Sequence, residues 1–146
     1  AGGIVNLVFV RPEEVDTVWA EVAPEFGRVV EKAIHGEFTT EDLYRLARDG
    51  RITVGVAREK GEVVMVVAFE FVFYPSATAV NVLAMAGRRL AAFMHRFLPL
   101  FRGFCKKAGA DWIECQVSPA MERMHRRYGF ATVYRSLRMN VKEESC

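Results

Sequence analysis

The sequence predicts an α/β (α+β) domain in which a mixed, mainly antiparallel central sheet is flanked by helices, in the order β-α-α-β-β-β-α-β-α-β. Three observations carry this. Residues 52–58 and 63–74 are β-branched and aromatic runs joined by Glu59-Lys60-Gly61-Glu62, whose central Lys-Gly pair is a tight-hairpin signal. Leu90, Phe93, Met94, Phe97, Phe101, Phe104, Cys105 and Ala108 keep one apolar helical face for about five turns. Strand and helix patterns then alternate from residue 112 onward.

Taken in order, residues 4–10 are apolar and β-branched, and Arg11-Pro12-Glu13-Glu14 follows with a proline and two carboxylates where a helix N-terminus favours them. The helical pattern runs through Val15, Val18, Trp19 and Val22. Pro24 is expected to interrupt it, giving two helical pieces, the second carrying Phe26, Val29, Val30, Ala33 and Ile34 and ending near Gly36. Thr39-Thr40-Glu41-Asp42 caps a further helix with Leu43, Leu46 and Ala47 on its apolar face, ended by Asp49-Gly50. After the hairpin, Pro75-Ser76-Ala77 turns the chain into a third antiparallel strand, 78–85. Pro99 is expected to bend or restart the long helix, and Gly109 to stop it. Residues 112–117 read as a strand, Pro119 opens the last helix, Gly129 ends it, and 131–141 reads as a final strand.

A chain of 146 residues, 51% hydrophobic and 26% charged, is long enough to bury a sizeable core, and a single domain spanning 1–146 is expected, with 142–146 frayed. A formal charge of +2 is too small to argue for nucleic acid. Cys105, Cys115 and Cys146 cannot all pair within one chain and have no metal-ligand spacing, so a reducing cytoplasm is the simplest setting. The longest apolar run, 63–74, is broken by Glu70 and too short to span a bilayer, and no basic leader with a signal core is present at the N-terminus.

The segment Ser118-Pro119-Ala120-Met121-Glu122-Arg123-Met124-His125-Arg126-Arg127-Tyr128-Gly129-Phe130, with the strand-like residues after it, resembles the ending of the GNAT acyltransferase fold, where a pattern like N-x-x-A-x-x-L-Y-x-x-x-G-F walls an acyl-CoA cleft. The element order matches that plan over essentially the whole chain. At the turn before the long helix the resemblance is closest to small GNAT-like proteins of tailed bacteriophages, which would place the chain in a host cytoplasm.

The resemblance implies an acetyl-CoA-dependent N-acetyltransferase that needs no metal. Its acceptor would be an amine on a small molecule or a protein. The pyrophosphate site would be Gly87, Arg88, Arg89 and Leu90, because free amides at a helix N-terminus and its dipole favour an anion and arginines add charge-assisted contacts. The family pattern Q/R-x-x-G-x-G/A is degenerate here: Ala84 stands for Gln or Arg, and Arg89 for a small residue. Read without the resemblance, Gly87 turns the chain and the two arginines form a solvated first turn. The main chain of Leu83, Ala84 and Met85 would polarise the thioester carbonyl. His125 stands where the family places a tyrosine that protonates the departing thiolate, and an imidazolium can do the same; otherwise it is a surface histidine of a basic helix. Ser118, in the place of the usual Asn, either caps the last helix or bonds toward the cofactor arm. Tyr128 is expected to be packed.

Glu70, Glu114 and Glu37 are candidate bases, although alternation puts Glu70 opposite Phe69, Phe71 and Phe73, on a solvent-facing side. Cys115 has no His or acid beside it to make a nucleophile, and His35, His95 and His125 lie too far apart in sequence to suggest a metal site. The phenylalanines read as a sheet and a helix facing each other, or, if exposed, as a homodimer face. Two other readings compete. One is a catalytically silent GNAT-shaped binding or structural module. The other is a polyanion binder using Arg88, Arg89, Arg96, Arg102 and the basic run 123–127, which the near-neutral charge disfavours.

Overall fold

The computed structural model describes residues 5–142. Its central sheet comprises β1 (Val5–Val10), β2 (Thr53–Glu59), β3 (Glu62–Tyr74), β4 (Ala77–Ala86) and β5 (Trp112–Cys115), in that spatial order. The first four pair antiparallel as a meander, while β5 lies parallel to β4. The β2–β3 hairpin closes at Glu59↔Glu62 over Lys60 and Gly61, both at positive φ (53° and 81°). A type I′ turn requires that twist and explains the Lys-Gly signal.

A 3-10 turn (Pro12–Glu14) leads into helix α1 (Val15–Ala33), followed by α2 (Thr40–Arg48). Together they cover one sheet face: Val22, Phe26 and Leu43 are wholly buried and cluster with Val54, Val56, Val66, Ala68, Ala84 and Ala86. The α2 N-terminus carries a capping box, with Thr39 Oγ1 accepting from the Asp42 amide at 3.1 Å and Asp42 Oδ2 accepting from the Thr39 amide at 2.8 Å. Thr39→Ala is expected to cost about 1 kcal/mol, read as a lower urea midpoint at unchanged m. The bond from the Thr39 amide, helped by Arg45, holds the Asp42 carboxyl below its ordinary range. Its contribution is therefore present at neutral pH and lost as pH falls through that lowered value.

Helix α3 (Leu90–Lys107) packs on the opposite face. There Phe69 is fully buried and meets Phe9, Phe101 and Phe104 with centroids 5.8, 5.1 and 5.9 Å away. Phe71 is half-buried, and Phe73, at 78% exposure, projects into solvent.

Three expectations are corrected. Helix α1 is continuous through Pro24, which is exposed. A proline removes one amide bond, and the buried Val22 and Phe26 on either side hold both halves to the sheet. Helix α3 likewise runs through Pro99 without restarting, held by buried Phe97, Leu98 and Phe101. Residues 131–141 form no strand. Their alternation is present, but a strand exists only as part of a ladder, and none forms there; Val133, Tyr134, Leu137, Met139 and Val141 are 74–94% exposed.

The chain divides into two units, Ala1–Gln116 and Val117–Cys146, the second built on helix α4 (Pro119–Arg127). The expected frayed end beyond residue 142, the start of the first strand at Ile4, and Cys146 lie outside the described residues.

Candidate active site

Within the first unit the chemistry-bearing geometry lies along β4. Its register against β3 runs Ala68↔Ala84 and then Phe69↔Val82, so Leu83 is an extra residue, a β-bulge. On its other edge β4 pairs with β5 only as far as Val82↔Cys115. From Leu83 through Ala84 and Met85 to Ala86 the strand keeps its β3 partner and has no ladder on the β5 side. The bulge thus falls where the two parallel strands part, leaving main-chain donors and acceptors unpaired by any strand.

Gly87 follows at once, and its role differs from the expected turn. A Cβ there would lie 2.3 Å from the Val64 carbonyl oxygen and 3.2 Å from the Met65 Cα. Val64 is itself a bulge residue, since β2 pairs Ala57↔Met65 and then Arg58↔Val63. Glycine is required at 87 by close backbone approach. Helix α3 then begins at Leu90 with Arg89 as N-cap; no side chain caps it, and the Arg89 carbonyl accepts from the Ala92 and Phe93 amides. The Arg89 guanidinium sits 4.9 Å from the centre of the Phe93 ring, and Arg96, 3.4 Å from Glu59, covers the same ring at 4.4 Å. Arg88 Nε is 3.3 Å from Glu25 Oε1, while Glu25 Oε2 accepts from Arg28 Nη2.

A polar row crosses the sheet beside the point of divergence. Glu70 on β3, Asn81 on β4 and Glu114 on β5 are register neighbours on the face that α1 and α2 cover further along. Asn81 Nδ2 donates to Glu70 Oε2 at 3.0 Å, and the Tyr74 hydroxyl donates to Glu114 Oε1 at 2.7 Å. Glu70 and Glu114 are half-buried, not solvent-facing, and neither has an ion-pair partner among the described residues. Two strand spacings separate them, about 10 Å. Glu37 is exposed in the α1–α2 loop. Burial pushes the Cys105 thiol up to about 11, and burial together with the Glu114 charge raises Cys115, so both favour the protonated, unreactive form. Among the described residues no His, Cys, Asp and Glu group could hold a metal, and no helix is long and apolar enough to cross a membrane.

In the second unit Ser118 caps α4, its Oγ accepting from the Met121 amide at 3.3 Å. His125 is not the surface side chain that its basic neighbours suggested; it is 8% exposed, with the Phe130 ring edge-on at 5.2 Å. Its Nδ1 lies 2.8 Å from the Met121 carbonyl oxygen. A carbonyl only accepts, so Nδ1 carries the proton and Nε2 is the free nitrogen: a base when the ring is neutral, an acid when it is cationic. Tyr128 is half-buried.

Sequence reasoning missed Glu25, Arg28, Asn81 and Tyr74. The carboxylates of the row were visible, but their alignment depends on the Leu83 bulge. Glu25 was masked by a helical pattern that stops at Pro24.

No protein-family model matches the chain, and no curated protein does. Solved structures do match. A ribosomal-protein-alanine N-acetyltransferase from Brucella melitensis biovar Abortus 2308 aligns with TM-score 0.72 at 13% identity, over 94% of this chain and 99% of that one. A predicted acetyltransferase with acetyl-CoA from Clostridium acetobutylicum gives 0.67 at 13%, over 94% and 96%. An aminoglycoside acetyltransferase from an uncultured soil metagenomic sample, in complex with sisomicin, gives 0.68 at 11%, over 96% and 97%. None of these supports the narrower likeness to bacteriophage proteins. At such identities the likeness is one of fold, and the chain has the α+β fold of the GNAT acetyltransferases, a mixed five-stranded sheet flanked by helices.

Proposed function

We propose that this protein is an acetyl-CoA-dependent N-acetyltransferase acting on a primary amine by direct attack. The observation that carries the reading is the parting of β4 from β5 at Val82↔Cys115, with the Leu83 bulge at the same point. The open strand edge along Leu83, Ala84 and Met85 suits a pantetheine amide and a thioester carbonyl. Gly87, Arg88, Arg89 and Leu90 lead into a helix N-terminus suited to pyrophosphate. Structural neighbours described as acetyltransferases, one as a ribosomal-protein-alanine N-acetyltransferase and another with acetyl-CoA, support the chemistry.

In this reading the amine nitrogen attacks the thioester carbon, the C–S bond breaks, and the thiolate leaves with a proton. Glu114 takes the proton of the attacking amine, with Tyr74 orienting one carboxylate oxygen, and Glu70 adds negative potential that draws a cationic acceptor. The family's thiolate-protonating position falls on His125, whose Nε2 is the ring nitrogen not engaged by the Met121 carbonyl, and Ser118 caps the start of its helix. Placed backbone donors supply most of the electrostatic stabilisation. The acceptor is a small-molecule amine, as for the aminoglycoside acetyltransferase neighbour, or a protein amine.

The test is calorimetric titration of acetyl-CoA, followed by thiol release with a panel of amines. Micromolar binding is expected, and Glu114→Gln is expected to lower kcat about 10²- to 10⁴-fold at unchanged acetyl-CoA affinity. No binding by wild type up to millimolar concentration would overturn the enzyme and leave the silent GNAT-shaped module.

A further inference from the structure

Glu25 is a carboxylate on the sheet-facing side of α1, with only 7% of its side chain exposed, and both of its oxygens are engaged by arginines from different parts of the chain. Oε2 holds Arg28 from its own helix, and Oε1 meets Arg88 Nε from the β4–α3 corner at 3.3 Å. The two arginine side chains are 49% and 78% exposed. The carboxylate therefore forms a floor from which two guanidiniums project to the surface.

We propose that Glu25, Arg28 and Arg88 form a phosphate clamp, in which Glu25 is a positioning residue and the two arginines grip the diphosphate of the acyl-CoA. This rests on the acetyl-CoA reading above and adds α1 to a site otherwise confined to the β4–α3 corner.

Charge and donor count favour it. Two guanidiniums converging on one spot repel each other, and one buried carboxylate cancels a single charge, so the trio stays cationic. Each guanidinium has five N–H donors in a planar fork, and contact with one carboxylate oxygen leaves most of them for a second anion. A phosphate group bound across both forks supplies the missing negative charge with bidentate geometry. Arg89, held over Phe93, adds positive potential beside them. Among the described residues Glu25 is the sole carboxylate ion-paired with either arginine, and none of the others competes for the outward donors.

The sign of one substitution separates positioning from mere charge balance. Glu25→Gln keeps the side-chain volume and removes a negative charge near the bound anion. Charge balance alone predicts tighter binding; positioning predicts weaker binding because the forks lose their anchor. Acetyl-CoA and, separately, inorganic pyrophosphate would be titrated into wild type, Glu25→Gln, Arg28→Gln and Arg88→Gln, with unliganded melting followed to exclude unfolding. About tenfold weaker binding of both ligands is expected for each variant, with a raised KM for acetyl-CoA at unchanged kcat.

Equal or tighter binding by Glu25→Gln overturns the positioning role. If that variant does not fold, unchanged affinity in Arg28→Gln overturns the clamp instead. Wild type that binds pyrophosphate through these three residues but not acetyl-CoA would retain the clamp and remove the cosubstrate reading. Wild type that binds acetyl-CoA with affinity indifferent to all three substitutions would do the reverse.

Discussion

Gly87→Ala is expected to destabilise the fold by about 3 kcal/mol, the upper part of the range for overpacking. The new Cβ would lie 2.3 Å from the Val64 carbonyl oxygen, and the obstacle is backbone, so no rotamer change relieves the clash. Both sides are fixed: Val64 is a bulge between two paired segments of β3, and Gly87 directly follows the last paired residue of β4. For a chain of this length such a loss lowers Tm by about 10 °C. Urea unfolding checks it, and a change below about 0.5 kcal/mol would show that the corner relaxes freely. Any effect of substituting Gly87 on acetyl-CoA binding would consequently mix a damaged sheet end with damage to the proposed site. Glu114 and the arginines are the cleaner probes.

Phe69→Ala is expected to be larger still, about 3–5 kcal/mol. The Phe69 ring is wholly buried and is the common partner of Phe9, Phe71, Phe101 and Phe104, so its removal opens a cavity where β1, β3 and α3 meet. Against a typical total of 5–15 kcal/mol, this substitution consumes a large share of the stability. Phe69→Leu refills most of the space and is expected to recover the greater part. Thermal melting with near-ultraviolet circular dichroism distinguishes the two; equal stability of the alanine and leucine variants would show that the ring cluster is not the keystone of that face.

Much of the fold was legible because its signals are local. The Lys60-Gly61 turn, the Thr39 capping box and the period of α3 each depend on a few adjacent residues, and all three appear where the sequence put them. The prolines misled for the opposite reason. Pro24 and Pro99 each carry a local cost, and burial on both flanks outweighs it. Residues 131–141 show the converse, a local pattern with no ladder to complete it.

The candidate site was legible as sequence positions, and less so in the geometry around them. Leu83, Ala84, Met85 and Gly87 were marked from the resemblance, but the bulges at Leu83 and Val64 are properties of register, which no single strand encodes. Glu70 was read as outward because alternation sets it opposite three phenylalanines. It does lie on the other face, but that face is the one bordered by α1 and α2, where Asn81 meets it. The Arg88–Glu25 pair joins residues distant in sequence, and nothing in either neighbourhood announces the other.

The unpaired residues 131–141 have a consequence for behaviour at high concentration. Val133, Leu137, Met139 and Val141 stand at alternate positions of the sequence and are 74–94% exposed, a pattern that invites stacking of one chain upon another. Arg135 falls in the same alternation, between Val133 and Leu137. A guanidinium in the middle of an apolar row has to be stripped of water before two such rows can interlock, so that single arginine acts as a gatekeeper against aggregation.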